Sequence, residues 1–558
     1  MWQNFRNILL KTRRLRRSDP AVVTAHKKTS KNTDRTPEFS ADRSSVTNSR
    51  IFSFYRRSII FILTLVWFGV FAPMGLDFHH DGVVFIPALR VAAGEVVFRD
   101  VFCQYGLLSP LLQGFAAWIG GGELLFVKYF SVLFYAGIAV VLDLVWEPLL
   151  SARWRNIMFL MFLGLMPDTI VTFHAWSSIF ALFFSLLSLW MMLKHFSGKG
   201  WWTLFLCGIF AGLTFLSRHP VGVVTVVAMA GALFVEMMLK FPSGGRLIKF
   251  LKNSSVTFGA VLLVIAAAAV YLICNNAWDD FVLQCYTNVS KFVHERSDGS
   301  NWGYLSESLF PFITDAIFFD SIFAVLPLTA MAWLLIAVRR AVRNKGESEK
   351  DYMLCAVGIF ALGAWHQYYP VPCVRHLFWG GVPFFGLWVL SVKELWSVDS
   401  TRRIWCRIAA VLLIIHAAYC SYFRLVSAWR RLETSVNRRQ LDIPGIRGMK
   451  LTRGEYAMLT GVLSTIEQLP EDIRRRGVLN YTAEGLWSVI LPPTRFSHTQ
   501  FLWLKDALYP DFEEKNIQYI RMFKPVVLHS KPIYLGRYIP LVSWQYMGVD
   551  YTISIPLE

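Results

Sequence analysis

The sequence has few features of a metal-binding or disulfide-rich protein. Its eight cysteines form no CxxC pair and no spacing linked to histidine, so a zinc site cannot be argued from them. Cys103, Cys285 and Cys373 fall in segments predicted to lie outside the cytoplasm, where a disulfide is chemically feasible, but no particular pairing is indicated. A divalent metal is compatible with the chain without being supported by its sequence, and no cofactor is predicted.

The N-terminal segment also lacks an apolar core. The first apolar run begins near Ile59, too late for a cleavable signal peptide. We therefore predict that residues 1–57, which are basic and poor in apolar periodicity, form a disordered cytoplasmic tail. The formal net charge is +18, but most of the positive charge lies beside hydrophobic runs, as orientation in a membrane requires. We predict no nucleic-acid partner.

Apolar residues are abundant, at 55% of the chain, and 15% of all residues are aromatic. Many fall in runs of about 17 to 24 residues, each long enough to cross a bilayer as a helix. We predict about eleven spans. They lie at 58–75, 123–146, 157–173, 179–193, 202–216, 221–239, 256–274, 316–338, 352–365, 377–392 and 404–423.

Loop charges predict the orientation of these spans. With a cytoplasmic N-terminus, every arginine-rich loop is inside, as the positive-inside rule requires. The outside loops are then 76–122, 174–178, 217–220, 275–315 and 366–376. Counting Leu107 to Ile119 as a span would invert all later loops, so we predict that it lies flat on, or dips into, the outer leaflet.

The C-terminal part of the chain, residues 427–558, has mixed polar sequence and no span. Helical spacing at 452–469 and short apolar runs at 477–481, 525–528 and 549–555 predict a small α/β domain. An odd number of spans places this domain outside. The predicted fold class is an α-helical polytopic membrane protein, residues 58–426, with a soluble periplasmic α/β domain.

Acidic and basic residues cluster in the first outside loop, at Asp77, His79, His80 and Asp81. A carboxylate at a membrane boundary is a candidate general base, because desolvation raises its proton affinity and the interface brings it near an amphiphilic substrate. The same residues would also be expected if they only solvate the end of a span. The residues alone favour neither of these two interpretations over the other.

The loop resembles that of GT-C glycosyltransferases of the protein mannosyltransferase and lipid A aminoarabinose transferase type. The resemblance is carried by Asp81, the helical stretch 88–94, the Phe98-Arg99-Asp100 step and the segment from Tyr105-Gly106 to Pro110. With the span order and the C-terminal domain, it covers most of the chain. It implies an inverting transferase in which Asp81 activates an acceptor that attacks a polyprenyl-phosphate sugar. The implied partners are that donor, a glycan, lipid or protein acceptor, and membrane lipids of the bacterial inner membrane.

A leaving phosphate requires cations, which three outside segments offer: 217–220, 366–376 and 291–296. The second resembles the Lys-x-x-x-Pro-x-Tyr region of aminoarabinose transferases, which implies a phosphate site at Arg375 and His376 near Tyr369. Arg218 and His219 either bind substrate or simply end a helix before Pro220. Arg99 either contacts substrate or pairs with Asp100 or Asp81, and the pairing is favoured.

The sequence departs from the family after the third predicted span. Many relatives carry a second acidic residue there, whereas this chain has His174, with Asp168 further upstream. A metal bridged by two such carboxylates is therefore not supported, and His174 is either an acceptor-binding residue or structural. Tyr105 is a further substrate-binding candidate. The long loop 275–315 is aromatic-rich, which is typical both of a sugar-binding lid and of membrane anchoring.

Two other functions share this composition. A lipid-sugar transporter would show repeated halves or charges in mid-span, which the sequence does not favour. A polyprenyl-linked oligosaccharide polymerase or ligase would place its chemistry in a late arginine-rich loop. The residues of the first outside loop favour a transferase over both, and over a receptor without activity.

Overall fold

The computed structural model describes residues 40–240, 245–287, 289–290, 317–344, 348–369, 373–399, 401–494, 512–530, 537–546 and 548–557. The chain divides into two compact units, Met1–Tyr55 and Arg56–Glu558. Most of the predicted lid, and the basic segment 291–296 within it, lies outside the described residues. The predicted tail 1–57 also lies largely outside them.

Helices dominate the part of the chain predicted to be in the membrane. They are α1 (Ser40–Phe71), α2 (His80–Ala92), α3 (Leu108–Ile119), α4 (Leu124–Trp146), α5 (Ala152–Gly164), α6 (Ser177–Phe196), α7 (Trp201–Ser217), α8 (His219–Lys240), α9 (Arg246–Cys274), α10 (Trp278–Val282), α11 (Ile317–Arg343), α12 (Glu349–Ala364), α13 (Val374–Gly381), α14 (Phe385–Trp396) and α15 (Arg403–Ser435).

Each of the eleven predicted spans overlaps at least one helix, although in 157–173 the helix ends at Gly164. Among the described residues, seven helical segments are long and apolar enough to cross a membrane: Ile51–Phe71, Leu124–Trp146, Ser177–Phe196, His219–Leu239, Arg246–Cys274, Asp320–Arg343 and Arg403–Ser435. The other predicted spans coincide with shorter helices, and 377–392 is broken by a 3-10 turn at Val382–Phe384. The number of eleven crossings therefore stays a prediction, whereas a helical polytopic architecture is confirmed.

The segment Leu107 to Ile119 is helical only over the 12 residues of α3. At 1.5 Å per residue this helix is about 18 Å long, too short to cross about 30 Å of hydrocarbon. It packs between α2 and α4. Its length agrees with the prediction that this segment is not a span.

The C-terminal segment contains the predicted α/β elements. They are α16 (Arg453–Glu467), α17 (Glu471–Arg474), α18 (Trp487–Ile490) and α19 (Phe512–Phe523), with strands β1 (Arg439–Gln440), β2 (Lys450–Leu451), β3 (Val478–Tyr481), β4 (Val526–His529), β5 (Tyr538–Tyr546) and β6 (Val549–Pro556). The last four form a sheet in the order β3-β4-β6-β5, parallel between β3 and β4 and antiparallel elsewhere. Thr452 begins α16 with a capping box that includes Glu455.

This C-terminal part is built directly onto the first outside loop. The backbone nitrogen of Leu486 donates to the Phe78 carbonyl at 2.9 Å, and Phe78 stacks on Trp487 with 4.5 Å between ring centroids. A methyl group at Gly82 would lie only 2.3 Å from the Leu486 nitrogen, so that only glycine allows this approach. The loop is therefore held between the helices and the C-terminal segment. The proposed boundary at residue 427 stays a prediction.

Candidate active site

Asp77 lies at the centre of a polar cluster in the segment between α1 and α2. One carboxylate oxygen, Oδ1, accepts hydrogen bonds from the backbone nitrogens of His79 and His80 at 3.1 and 2.8 Å. These bonds cap the start of α2, because the first backbone N–H groups of a helix lack partners within it. The capping fixes the carboxylate and leaves its other oxygen, Oδ2, directed at side chains.

Two imidazoles converge on that second oxygen. Nδ1 of His80 lies 2.9 Å from Asp77 Oδ2, and Nε2 of His174 lies 3.3 Å from the same atom. The two rings stack with 4.9 Å between centroids. The His174 side chain is 1% exposed, whereas Asp77 and His80 are 27% and 42% exposed. The cluster is thus shielded from solvent at His174 and accessible to solvent at His80.

The charges within the cluster shift its protonation equilibria. Burial alone would raise the pKa of Asp77, but its hydrogen bonds with His174 and His80 lower that pKa well below its usual range. Burial lowers the pKa of His174 well below its ordinary value, and the Asp77 carboxylate opposes this effect. At neutral pH the cluster therefore contains an ionised carboxylate beside a neutral, buried imidazole.

Asp81 occupies a different environment, although it lies one turn away on α2. Its Oδ2 accepts a hydrogen bond from Lys128 of α4 at 2.9 Å, and the side chains are 2% and 0% exposed. Burial raises the pKa of Asp81, and the charge of Lys128 opposes that rise. Asp81 therefore anchors α2 to α4 and does not present a free oxygen to solvent.

Arg375, at the start of α13, adjoins the cluster. Its Nη2 donates to the Thr172 carbonyl at 2.9 Å and lies 3.4 Å from His174 Nε2. Its buried Nε has no hydrogen-bond partner among the described residues. The structure thus brings the predicted phosphate-binding arginine together with the predicted acceptor-binding histidine.

Asp168 lies in a 3-10 turn between α5 and α6. It is buried, and the positive charges of Arg375, Arg431 and Lys128 attract its carboxylate. Arg431 of α15 also donates to the Val171 and Met74 carbonyls. One buried carboxylate, Asp168, is thus close enough to act on three cations.

A second group of predicted residues, Tyr105 and Arg218, borders the cluster through Trp176. The Tyr105 ring lies 5.2 Å from Trp176, and Trp176 lies 5.5 Å from the His80 ring. Arg218 follows the last residue of α7 and donates to the Ser178 hydroxyl. Its charge also acts on the Tyr105 phenol, whose pKa burial raises above its usual range. These residues extend the polar site along one side.

Three further predicted residues, His219, His376 and Tyr369, contact residues other than those of the cluster. The His219 ring at the start of α8 packs against Tyr286, with 5.4 Å between centroids. His376 lies one residue beyond Arg375 and packs against Trp379 at 5.5 Å. Tyr369 donates its backbone N–H to the His366 carbonyl, immediately before residues that the structure does not describe.

Arg99 forms the pairing that the sequence favours. Its Nε and Nη2 contact the two oxygens of Asp100 at 2.9 and 2.8 Å, and its Nη1 donates to the Asn275 carbonyl at 3.0 Å. Asp100 also accepts the Val96 N–H at 2.8 Å. The pair joins the first outside loop to the end of α9.

Sequence reasoning missed Lys128 altogether, and it did not select Asp77 or His80 from the loop cluster. The signal for Lys128 was available, since a lone lysine inside an apolar span requires a partner. For Asp77 and His80 the spacing of three residues allows contact on one helical turn. No local signal identifies His174 as their neighbour.

The architecture combines a bundle of apolar helices, a short helix, α3, that packs on α2, and a small C-terminal α/β domain. No protein-family model and no curated sequence match the chain. Among solved structures, it is similar to ArnT from Cupriavidus metallidurans bound to undecaprenyl phosphate, with a TM-score of 0.52 and 11% identity over 91% of this chain and 98% of that chain. The apo state of ArnT gives a TM-score of 0.52 and 12% identity over the same shares. The predicted fold is confirmed.

Proposed function

We propose that this protein is an inverting glycosyltransferase that moves a sugar from a polyprenyl-phosphate donor to an acceptor at the outer face of the bacterial inner membrane. The observation that carries this proposal is the position of Arg375. Its guanidinium adjoins the Asp77, His80 and His174 cluster and retains a buried N–H without a partner among the described residues. A shared fold with a protein bound to undecaprenyl phosphate supports the same class of donor.

Arg375 would bind the phosphate that leaves with the polyprenyl chain. A guanidinium in a partly buried site forms charge-assisted hydrogen bonds to phosphate oxygens, and these strengthen as charge develops on the leaving group. The Thr172 carbonyl holds one nitrogen of Arg375. The guanidinium is thus oriented before substrate arrives.

The acceptor hydroxyl would lose its proton at the Asp77, His80 and His174 cluster. We place this step there and not at Asp81, the residue implied by the family resemblance. Asp81 is buried in its pair with Lys128, whereas His80 is 42% exposed and Asp77 is 27% exposed. A group that takes a proton must come within hydrogen-bond reach of the acceptor. The acceptor can be a glycan, lipid or protein hydroxyl.

The direct test combines purified protein with a panel of undecaprenyl-phosphate hexoses and pentoses, together with membrane extracts as acceptors. We expect release of undecaprenyl phosphate with at least one sugar. In parallel, mass spectrometry of glycolipids and surface polysaccharide from a deletion strain should show the loss of one sugar. A transporter would move the donor between leaflets without releasing undecaprenyl phosphate. That result, with an unchanged envelope composition in the deletion strain, would exclude the proposed transfer reaction.

A further inference from the structure

Three metal-ligating side chains from two distant segments converge in the cluster. The ligand atoms of Asp77, His80 and His174 all lie within 4.8 Å of one another. Asp77 and His80 come from the first outside loop, and His174 precedes α6. Two imidazoles and one carboxylate form a ligand set that binds divalent transition metals, including zinc.

The separations between the three ligand atoms are close to those around one ion. Zinc bonds of about 2.0–2.2 Å at tetrahedral angles place neighbouring ligand atoms about 3.3–3.6 Å apart. Asp77 Oδ2 lies 2.9 Å from His80 Nδ1 and 3.3 Å from His174 Nε2. Both nitrogens therefore already point at the same oxygen, and small side-chain rotations would open a shared position between the three atoms.

The carboxylate is also oriented from outside the cluster. Asp77 Oδ1 is held by the backbone nitrogens of His79 and His80, which leaves Oδ2 for a ligand. Such outer hydrogen bonds are what fix ligating side chains in metal sites. The adjoining His79 ring points elsewhere, with its Nδ1 at 2.7 Å from the Ala483 carbonyl.

The charged groups around the Asp77, His80 and His174 cluster are compatible with a bound cation. Lys128 is paired with Asp81. Arg375, the cation nearest to His174, is held by the Thr172 carbonyl and attracted by Asp168. The described hydrogen bonds of Lys128 and Arg375 go to Asp81, the Thr172 carbonyl and His174, so the negative charge of Asp77 is available to a bound ion.

We propose that Asp77, His80 and His174 bind one divalent transition-metal ion, with zinc as the reference ion. Three protein ligands leave at least one coordination position open, as in sites where a metal binds a reacting oxygen. For the role of the ion, this inference rests on the proposed function: the open position would take the acceptor hydroxyl and lower its pKa. The proton would then pass to solvent beside the exposed His80, because Asp77 Oδ2, His80 Nδ1 and His174 Nε2 would be occupied as ligands. Metal binding itself requires no sugar donor and can be tested alone.

The test uses the full-length protein in detergent, stripped with a chelator and equilibrated with ZnCl2, followed by metal analysis and titration calorimetry. We expect one zinc per chain. His80→Ala and His174→Ala should each weaken zinc binding by at least about 100-fold, because each removes a direct ligand. His79→Ala is the matched control and should retain full binding. Replacement of zinc by CoCl2 should give visible absorption of a nitrogen- and oxygen-ligated ion, which His174→Ala loses.

Each result of these binding experiments supports or contradicts the proposed metal site. His80→Ala is the main variant, because His80 is the most exposed of the three and its loss disturbs packing least; gel filtration and the melting temperature verify its fold. Absence of zinc from the folded wild-type protein, or equal binding by wild type and His80→Ala, would overturn the metal site. If the chelated protein still transfers sugar at the wild-type rate, the metal inference fails while the proposed function stands. If zinc binds as expected but no donor is used, the proposed function fails and the metal site stands.

Discussion

The ammonium group of Lys128 on α4 lies 2.9 Å from Oδ2 of Asp81 on α2, and both side chains are almost completely removed from solvent. Breaking a buried pair by removing one partner leaves an uncompensated charge and typically costs about 3–5 kcal/mol. We therefore expect Asp81→Asn to lower the melting temperature of the purified protein substantially. Thermal unfolding in detergent measures this effect.

The double variant Asp81→Leu with Lys128→Met is the control for this assignment. Replacing both charges by apolar groups of similar size is often neutral, so its stability should return toward that of wild type. If Asp81→Asn instead keeps the wild-type melting temperature and loses all transfer, Asp81 is the base that the family resemblance implies. The Asp77, His80 and His174 cluster then does not take the proton.

Arg375 should control use of the donor. We expect Arg375→Ala to lower kcat/KM for the polyprenyl-phosphate sugar by about 10-fold to 100-fold, because hydrogen bonds to charged groups contribute about 1.5–3 kcal/mol. Arg375→Lys should lose less, since it keeps the charge without the planar fork. His376→Ala should compound the defect if both residues hold one phosphate. Equal kcat/KM for wild type, Arg375→Lys and Arg375→Ala would remove Arg375 from the site.

Arg99→Ala should have a much smaller effect. Arg99 is 41% exposed and its partner Asp100 is 29% exposed, and pairs of this kind contribute about 0.2–1 kcal/mol. We expect a small fall in melting temperature and little change in KM for the donor. A large rise in KM at unchanged stability would show that Arg99 contacts substrate. Asp100→Asn serves as the partner variant and should resemble Arg99→Ala.

Gly82→Ala tests the contact between α2 and the C-terminal segment. The added methyl group would lie 2.3 Å from the Leu486 nitrogen, so the backbone there must move away. We expect faster proteolysis of residues 427–558 and reduced transfer. Gly461→Ala is the matched control, because a methyl group at Gly461 meets no atom within 4 Å. Identical proteolysis of the two variants would argue against the close packing.

The orientation in the membrane is tested by reporter fusions. Fusions after Arg246, Arg343 and Arg403 should be cytoplasmic, and fusions after Asp298 and at the C-terminus should be external, because positive loop charge is retained inside. An external reporter after Arg343 would overturn the topology.

The sequence was most informative where contacts are local or periodic. Arg99 and Asp100 are adjacent, and their pairing was the favoured prediction. The helical periods and the strands β3, β4 and β6 were also predicted, but β1, β2 and β5 were not. The β5 residues Tyr538–Tyr546 are all half-buried or exposed, and an edge strand of this kind carries a weak apolar signal.

The site itself depends on contacts between residues that are far apart in the sequence. Arg375 lies 201 positions from His174, and Lys128 lies 47 positions from Asp81. Such neighbours are set by the packing of helices against one another, which residue spacing does not encode. The family pattern directed attention to the loop that contains Asp77 and Asp81, but the proposal that Asp77 and not Asp81 takes part in proton transfer required the three-dimensional arrangement.

The hydrogen bond from His79 to Ala483 joins residues 404 positions apart. During synthesis the first outside loop emerges early, whereas the segment that packs on it through Leu486 is made only after all the membrane helices. Closing such a long connection is entropically costly and comes late in folding. The nascent chain would thus cross the bilayer with an unfinished site, and a ribosome that stopped before residue 483 would release a membrane-inserted product in which this contact cannot form.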